Sequence, residues 1–391
     1  MSVAVDQDQA FLAAVRRVAD EVAAPNADEV DRLARFPREA IDALREERAL
    51  SAYVPRELGG GGVSFEALAE ACFELGRRCG ASAMVFAMHQ IQVVTTVRHL
   101  AGSEWHENYL RELAADQRLI ASITSEVGTG GDMGRSVAAV EPAPEGGASF
   151  TKQAPTVSYG EHADDFLTTL RRNPEAEPGD QVVALTRKEQ MTLEPTGSWD
   201  PLGMRGTCSP GFTVTADFLP EQVLSVPFAR VSAESMTPVS HILWSHIWLG
   251  IATDAFDRSR AFVRAAAKRT PGTTPPAAAR LSHLMTELSL LRAEVHSALH
   301  EFAVADATPE REALSTMAMA LRFNNLKIAA SEQSPRVCQG ALGVNGIMGF
   351  KNDSPFSVGR HLRDSLSACL MVANERIHQT NAGLLLIAKE V

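Results

Sequence analysis

The chain has 391 residues, enough for two or three units built around large shared cores. Hydrophobic residues make up 45% and charged residues 22%, the balance of an ordinary globular protein, and a formal net charge of −11 without any Lys/Arg block argues against a nucleic-acid partner. The stretch Met1–Ala10 is polar, with no apolar signal core, and no apolar run approaches the roughly 20 residues needed to span a bilayer, so a cytoplasmic enzyme without a membrane partner is expected. The five cysteines, Cys72, Cys79, Cys208, Cys338 and Cys369, lack metal-type spacing and read as buried free thiols.

From Phe11 to about Leu119 the pattern is helical. Phe11, Leu12, Val15, Val18 and Val22 recur at the spacing of one helix face. Phe36-Pro37 opens a second helix through Leu44, with proline at a tolerated first-turn position. A glycine run, Gly59–Gly62, breaks the pattern, and Ser64 is suited to cap a helix reaching Gly76. Residues 81–100 form a nearly all-apolar helix, buried on most faces, on which His89 reads as a core or capping histidine rather than a catalytic one.

Between about 120 and 232 the period changes. The run Ile120–Asp132 passes from a β-branched strand into a turn holding Gly128, Gly130 and Gly131, with Glu126 and Asp132 flanking it. Such a turn is often only a turn, yet its exposed N–H groups can also hold a phosphate or a ligand carbonyl. Gln181–Thr186 and Phe212–Phe218 read as strands, the second with strict alternation, and Pro142–Gly147 and Asn173–Asp180 are turn-rich connections. From about Thr237 the chain is helical again, with helices expected over 241–268, Ala277–Ala303 and Glu310–Glu332, then a glycine-rich loop Gly343–Gly346 and a last helix from Arg363 to Met371. The expected class is α+β multidomain: an N-terminal helical domain (1–119), a middle β-barrel or sandwich domain (120–232) and a C-terminal four-helix bundle (233–391).

Helices, a β-module and a helical bundle in that order resemble the acyl-CoA dehydrogenase family, and short motifs along nearly the whole chain carry the resemblance. A T-E-P-x-A-G-S-D-type loop is similar to Ser125–Asp132; D-x-x-x-x-F-P and V-P-x-x-x-G-G pieces resemble Asp31…Phe36-Pro37 and Val54-Pro55…Gly59-Gly60. A W-I-T-type strand resembles Thr156-Val157-Ser158, the L-G-x-R-x-S/T-x-T strand resembles Leu202–Ser209, and the G-G-x-G loop and R-D pair resemble Gly343–Gly346 and Arg363-Asp364.

The resemblance implies an FAD enzyme, a homotetramer or homodimer, with the flavin ring between the β-domain and the bundle. Ser125, Thr156, Val157 and Ser158 would then hydrogen-bond the ring, since small hydroxyls can donate to it without filling the substrate slot. Gly343 and Gly346 would approach the cofactor across a subunit interface, Lys268 would stand where the family has a phosphate-binding arginine, and Asn374 would lie beside the cofactor. A solvated helix end is the other reading of Lys268, and Pro271 replaces the family's usual phenylalanine, which weakens the expected adenine contact.

The family's chemistry is α,β-dehydrogenation of an acyl thioester, in which a carboxylate removes the α-proton and a hydride passes to the flavin. Eight residues beyond Asp364, where the family's base stands, this chain has Val372; the alternative position falls at about Ser240. Glu375, three residues further on, and His246, one to two turns along the long helix, are the substitute bases, against a surface role for Glu375 and a core role for His246. If neither serves, relatives of this fold without the glutamate use reduced flavin and oxygen to hydroxylate substrates. Gly131 replaces the loop serine, and His241 the helix-start arginine, that meet the thioester and its carrier; with Val372 they would line the substrate path. Trp244 and Trp248 would either narrow the slot or pack the core. The implied partners are an acyl thioester on CoA or a carrier protein, with an electron-transfer flavoprotein as acceptor, or a flavin reductase if the chemistry is a monooxygenation.

Overall fold

The computed structural model describes residues 2–100, 102–307 and 312–388. Its helices begin with α1 (Ser2–Val18), α2 (Ala24–Leu33), α3 (Arg38–Glu46), α4 (Phe65–Arg78), α5 (Gly80–Arg98) and α6 (Glu104–Asp116). The face carrying Phe11 to Val22 starts in α1 and ends in a π-helical turn, Ala19–Ala23, which runs on into α2. Ser64 caps α4 as its position implied: its Oγ accepts the Ala67 N–H at 3.1 Å and donates to Asp8 Oδ2 at 2.6 Å.

The sheet region contains β1 (Ile120–Ile123), β2 (Glu141–Pro142), β3 (Ala148–Ala154), β4 (Asp165–Arg171), β5 (Gln181–Arg187), β6 (Met191–Pro195) and β7 (Phe212–Phe218). They form two sheets, ordered β1-β4-β5 and β2-β3-β7-β6. β1 runs parallel to β4, with Ile120 opposite Asp165, and the remaining pairs are antiparallel. β7 alternates buried and outward residues, with Phe212, Val214, Ala216 and Phe218 inside.

His89 joins the helical and sheet regions. The Ile120 N–H donates to its Nδ1 at 3.0 Å, which leaves the proton on Nε2 to be donated to Leu50 O at 2.8 Å. Burial pushes its pKa down to about 4, so it acts as a neutral strut.

The C-terminal region holds a four-residue helix α7 (Phe228–Val231), then α8 (Thr237–Arg269), α9 (Ala277–Asp306), α10 (Met317–Asn345), α11 (Ile347–Phe350), α12 (Gly359–Leu366) and α13 (Asn374–Ile387). Helix α10 is longer than its pattern suggested: it takes Pro335 into its interior and continues to Asn345. The expected start at Glu310 lies outside the described residues. Gly343 and Gly346 are therefore no loop, but the last turn and the cap of α10, where Gly346 has φ +55°. The expected last helix Arg363–Met371 stops at Leu366, and a turn leads into α13.

Helix α8 is the axis of this region, packed against α4 on one side and α10 on the other. Its contact with α4 is backbone against backbone. A Cβ on Gly76 would lie 2.7 Å from Ile247 O, and one on Gly250 would lie 2.5 Å from Phe73 O, so each helix offers a glycine to the other.

Candidate functional site

The site lies where α5, the end of β1, the segment 199–209, α8 and the chain after α12 meet. They enclose a chamber of about 610 Å³. One wall is polar and small: Ser122, Thr124, Ser125, Thr156, Ser158, Thr207 and Ser209 line it. The facing wall is apolar and rich in thioethers, with Met84, Met88 and Ile91 from α5, Met236 and Trp244 from the α8 side, and Leu366, Leu370 and Met371.

The polar wall is fixed from behind. Ser125 Oγ donates to Thr156 O at 2.9 Å, and Ser209 Oγ stands 3.0 Å from both Ser158 Oγ and Thr207 Oγ1. Thr207 Oγ1 donates in turn to Met204 O at 2.9 Å, and the Met204 N–H donates to Asp364 Oδ1 at 2.7 Å. Burial raises the Asp364 carboxyl to about 6, against the pull of Arg360 and of the Met204 N–H. Arg363 forks onto both oxygens of Asp31, with Nη1 2.8 Å from Oδ1, and also donates to Leu202 O at 3.0 Å. Gly203 is required here, because a Cβ would stand 2.0 Å from Arg363 O. The two acidic and basic motifs at opposite ends of the chain thus hold the segment that carries Thr207 and Ser209.

Glu126, one of the acids of the glycine turn, is buried and structural. Its carboxylate accepts Ser136 Oγ at 2.7 Å and the N–H groups of Val137 and Ala138 at 3.0 and 2.6 Å, and Lys152 Nζ lies 3.4 Å away. The coulombic pull of Lys152 and these hydrogen bonds outweigh burial and hold the carboxyl below its ordinary range. The turn between Glu126 and Ser136 is therefore tied at both ends.

Of the residues singled out in the sequence, Ser125, Thr156, Ser158, Gly131 and Val372 line the chamber. Val157 does not: its side chain is buried in the core and its N–H donates to Pro210 O at 3.0 Å. His246 is also outside. It faces away from the chamber, its Nδ1 2.8 Å from Ile242 O and its ring stacked 6.1 Å from that of His296, and burial pushes its pKa down to about 4. Glu375 is exposed and lines neither this chamber nor the next one. Asn374 holds structure: its Oδ1 accepts Lys327 Nζ at 2.6 Å. Lys268 is exposed at the end of α8, and neither Gly343 nor Gly346 borders the chamber within this chain. Trp244 lines the chamber, whereas Trp248 is packed in the core.

A second chamber of about 520 Å³ adjoins the first, sharing Gly131, Met133, Ser240, Val372 and Arg376 with it. His241 lines this second chamber, neutral, with its pKa pushed down to about 3 by burial and by Lys327, and its Nδ1 lies 3.1 Å from Phe323 O. An uncharged imidazole cannot replace the charge of the arginine expected there.

Val372 closes the floor between the chambers with φ +45°, a left-handed conformation rare for a β-branched residue. Lys327 holds it there, its Nζ donating to Val372 O at 2.9 Å. Among the described residues no carboxylate and no imidazole lines the first chamber; its charged side chains are Arg363 and Arg376. Arg376, the thioether wall and the Asp31–Arg363 pair were not singled out by sequence reasoning. The spacing of Met84, Met88 and Ile91 on one helix face is the signal that could have found the wall.

An open β-module between two helical regions, with a chamber at their junction, defines the acyl-CoA dehydrogenase fold. Residues 5–117 match the model of the family Acyl-CoA dehydrogenase, N-terminal domain. That match covers the N-terminal helical region, and the likeness of the rest of the chain to this family is one of fold. Dibenzothiophene monooxygenase of Mycolicibacterium goodii is 28% identical over 251 residues, which are 61% of this chain and 59%, under two thirds, of that relative. The FMN-bound structure of TdsC from Paenibacillus sp. A11-2 superposes with a TM-score of 0.82 at 20% identity, covering 96% of this chain and 97% of the other. Butyryl-CoA dehydrogenase from Megasphaera elsdenii superposes with a TM-score of 0.80 at 18% identity, covering 97% and 98%. At these identities the superpositions describe the fold. Among the described residues no helix is long and apolar enough to cross a membrane.

Proposed function

We propose that this chain is the oxygenase component of a reduced-flavin-dependent monooxygenase acting on a small, largely apolar substrate. The observation that carries the reading is the first chamber's lining: a hydroxyl wall facing a thioether and indole wall, with no carboxylate or imidazole among the described residues. Dehydrogenation of an acyl thioester needs a base at the substrate's α-carbon. Val372 stands at the family position of that base, Glu375 is exposed and His246 is in the core. Oxygenation needs no such base. The likeness to dibenzothiophene monooxygenase and to FMN-bound TdsC supports the same reading.

A flavin fits the residues present. Thr156 and Ser158 offer small hydroxyls on one wall, and the backbone N–H groups of Ser125, Thr156 and Ser158 engage no other group among the described residues. A chamber of about 610 Å³ falls within the usual range of ligand sites. Bound reduced flavin supplies the two electrons with which dioxygen gives one oxygen atom to the substrate and one to water. The chain's own part is to hold the ring by the hydroxyl wall, to press the substrate against it with Met84, Met88 and Trp244, and to keep water out. The cofactor is FAD or FMN, the reductant a separate flavin reductase.

The test supplies the purified chain with photoreduced flavin, dioxygen, and dibenzothiophene or indole as probes, and looks by mass spectrometry for a product heavier by one oxygen atom. An acyl-CoA panel under nitrogen is the counter-test. Bleaching of the bound flavin by an acyl-CoA without oxygen would overturn the proposal in favour of the dehydrogenase.

A further inference from the structure

Two arginines reach the first chamber, and they differ in one respect. Arg363 is neutralised by Asp31. Arg376, in the first turn of α13, forms no ion pair or side-chain hydrogen bond with any described residue. It lines both chambers at their junction. Its guanidinium lies against the glycine turn: a Cβ on Gly130 would be 3.2 Å from Nη2, and one on Gly131 would be 3.5 Å from Nε. Any side chain at these glycines would crowd the guanidinium.

The surroundings add positive potential rather than cancelling it. Gly128, Gly130 and Gly131 are left-handed at φ +93°, +61° and +83°, a backbone open to glycine. The N–H groups of Thr129 and Gly130 engage no other group among the described residues. The N-terminal end of α13 contributes its dipole as well. Two carboxylates are near in sequence or space. Glu375 is exposed, and Asp132, which faces the second chamber, commits its Oδ1 to the Gly134 N–H at 2.9 Å. A half-buried guanidinium without a partner, above unengaged N–H groups, is a receptor for a tetrahedral oxyanion.

We propose that Arg376 and the Gly128–Gly131 turn bind a phosphate-type oxyanion at the neck between the chambers, so that a ligand whose ring fills the first chamber is held by its charged tail. The phosphate comes from one of two sources: the terminus of a flavin mononucleotide, which rests on the flavin reading above, or the substrate itself, which does not.

The test is isothermal titration of the full chain and of Arg376→Gln and Arg376→Lys with two ligand pairs. FMN against riboflavin isolates the flavin phosphate, and 1-naphthyl phosphate against 1-naphthol isolates a substrate phosphate. In the wild type one phosphorylated partner is expected to bind about tenfold or more tightly than its neutral counterpart, the scale of a charged hydrogen-bonded contact. Arg376→Gln is expected to erase that preference and Arg376→Lys to keep part of it, since a point charge retains attraction without the fork. Unchanged affinity of Arg376→Gln for the neutral partner establishes that the variant is folded. A preference for FMN assigns the site to the cofactor, and a preference for naphthyl phosphate assigns it to the substrate. No Arg376-dependent difference in either pair overturns the proposal. Failure of both flavins to bind would sink the monooxygenase reading, while the naphthyl pair still decides the role of Arg376.

Discussion

Asp364 accepts the backbone N–H of Met204 at 2.7 Å across 160 residues of sequence, and this bond sets the height of the polar wall over the chamber. Asp364→Ala leaves that N–H buried without an acceptor and is expected to lower the unfolding free energy by about 1–3 kcal/mol, read from denaturant midpoints. The pH dependence carries a sign. The folded carboxyl titrates at about 6 rather than at its ordinary 3.8, so the folded state holds the proton more tightly. Its contribution is fully present below pH 3.8 and is lost as pH rises through 6. Asp364→Asn is expected to remove that part of the pH dependence, and an unchanged profile would refute the assignment.

Gly203→Ala places a Cβ 2.0 Å from Arg363 O and 2.7 Å from Asp364 N, so α12 must shift to admit it. A loss of about 1–3 kcal/mol is expected, as for overpacking in a core, together with weaker ligand retention. Gly197→Ala is the control, because nothing lies within 4 Å of its Cβ position. Equal melting temperatures for the two variants would count against the constraint.

Lys327→Met removes the donor that holds Val372 O and Asn374 Oδ1 at 2.9 and 2.6 Å. A left-handed residue other than glycine costs about 1–3 kcal/mol unless its surroundings impose it. The floor of the chamber is therefore expected to relax. Ligand affinity should fall about tenfold or more, a loss of the scale set by one charged contact, and Val372→Gly in the same background should restore part of it. Affinity unaffected by Lys327→Met would show that the loop holds itself.

His246→Gln and Glu375→Gln are expected to keep turnover and flavin affinity, because neither residue reaches the chamber. His246→Gln should nevertheless alter acid stability. The folded imidazole titrates at about 4 against an ordinary 6.5, so the unfolded chain takes up the extra proton. That contribution is present above pH 6.5 and lost as pH falls toward 4. Loss of turnover in either variant would return a catalytic role to that residue.

Much of the architecture was legible because local rules suffice for it. Ser64 carries a cap in its residue type, and Phe212–Phe218 declares a strand by alternation. The extent of α10 was not legible: the helix runs through Pro335, Gly340 and Gly343, where packing against α8 and α9 outweighs local propensity, and ends only at Gly346. His246 was misplaced because the exposure of a long buried helix differs from turn to turn; Met236, Ser240 and Trp244 share the chamber face and His246 does not. Arg363 and Asp31 stand 332 residues apart, and no pattern within one element could have paired them.

The reciprocal glycines of α4 and α8 bear on how this pocket can be reshaped. Two helices that touch through Gly76 and Gly250 cannot slide or part without losing that contact, so one side of the molecule is a fixed jaw. The opposing jaw is held by a few polar attachments at Asp364, Arg363 and Lys327. Broader ligands will be admitted by trimming Met84 or Met88, or by loosening those attachments, while repacking the helix pair would cost stability and leave the opening as it is.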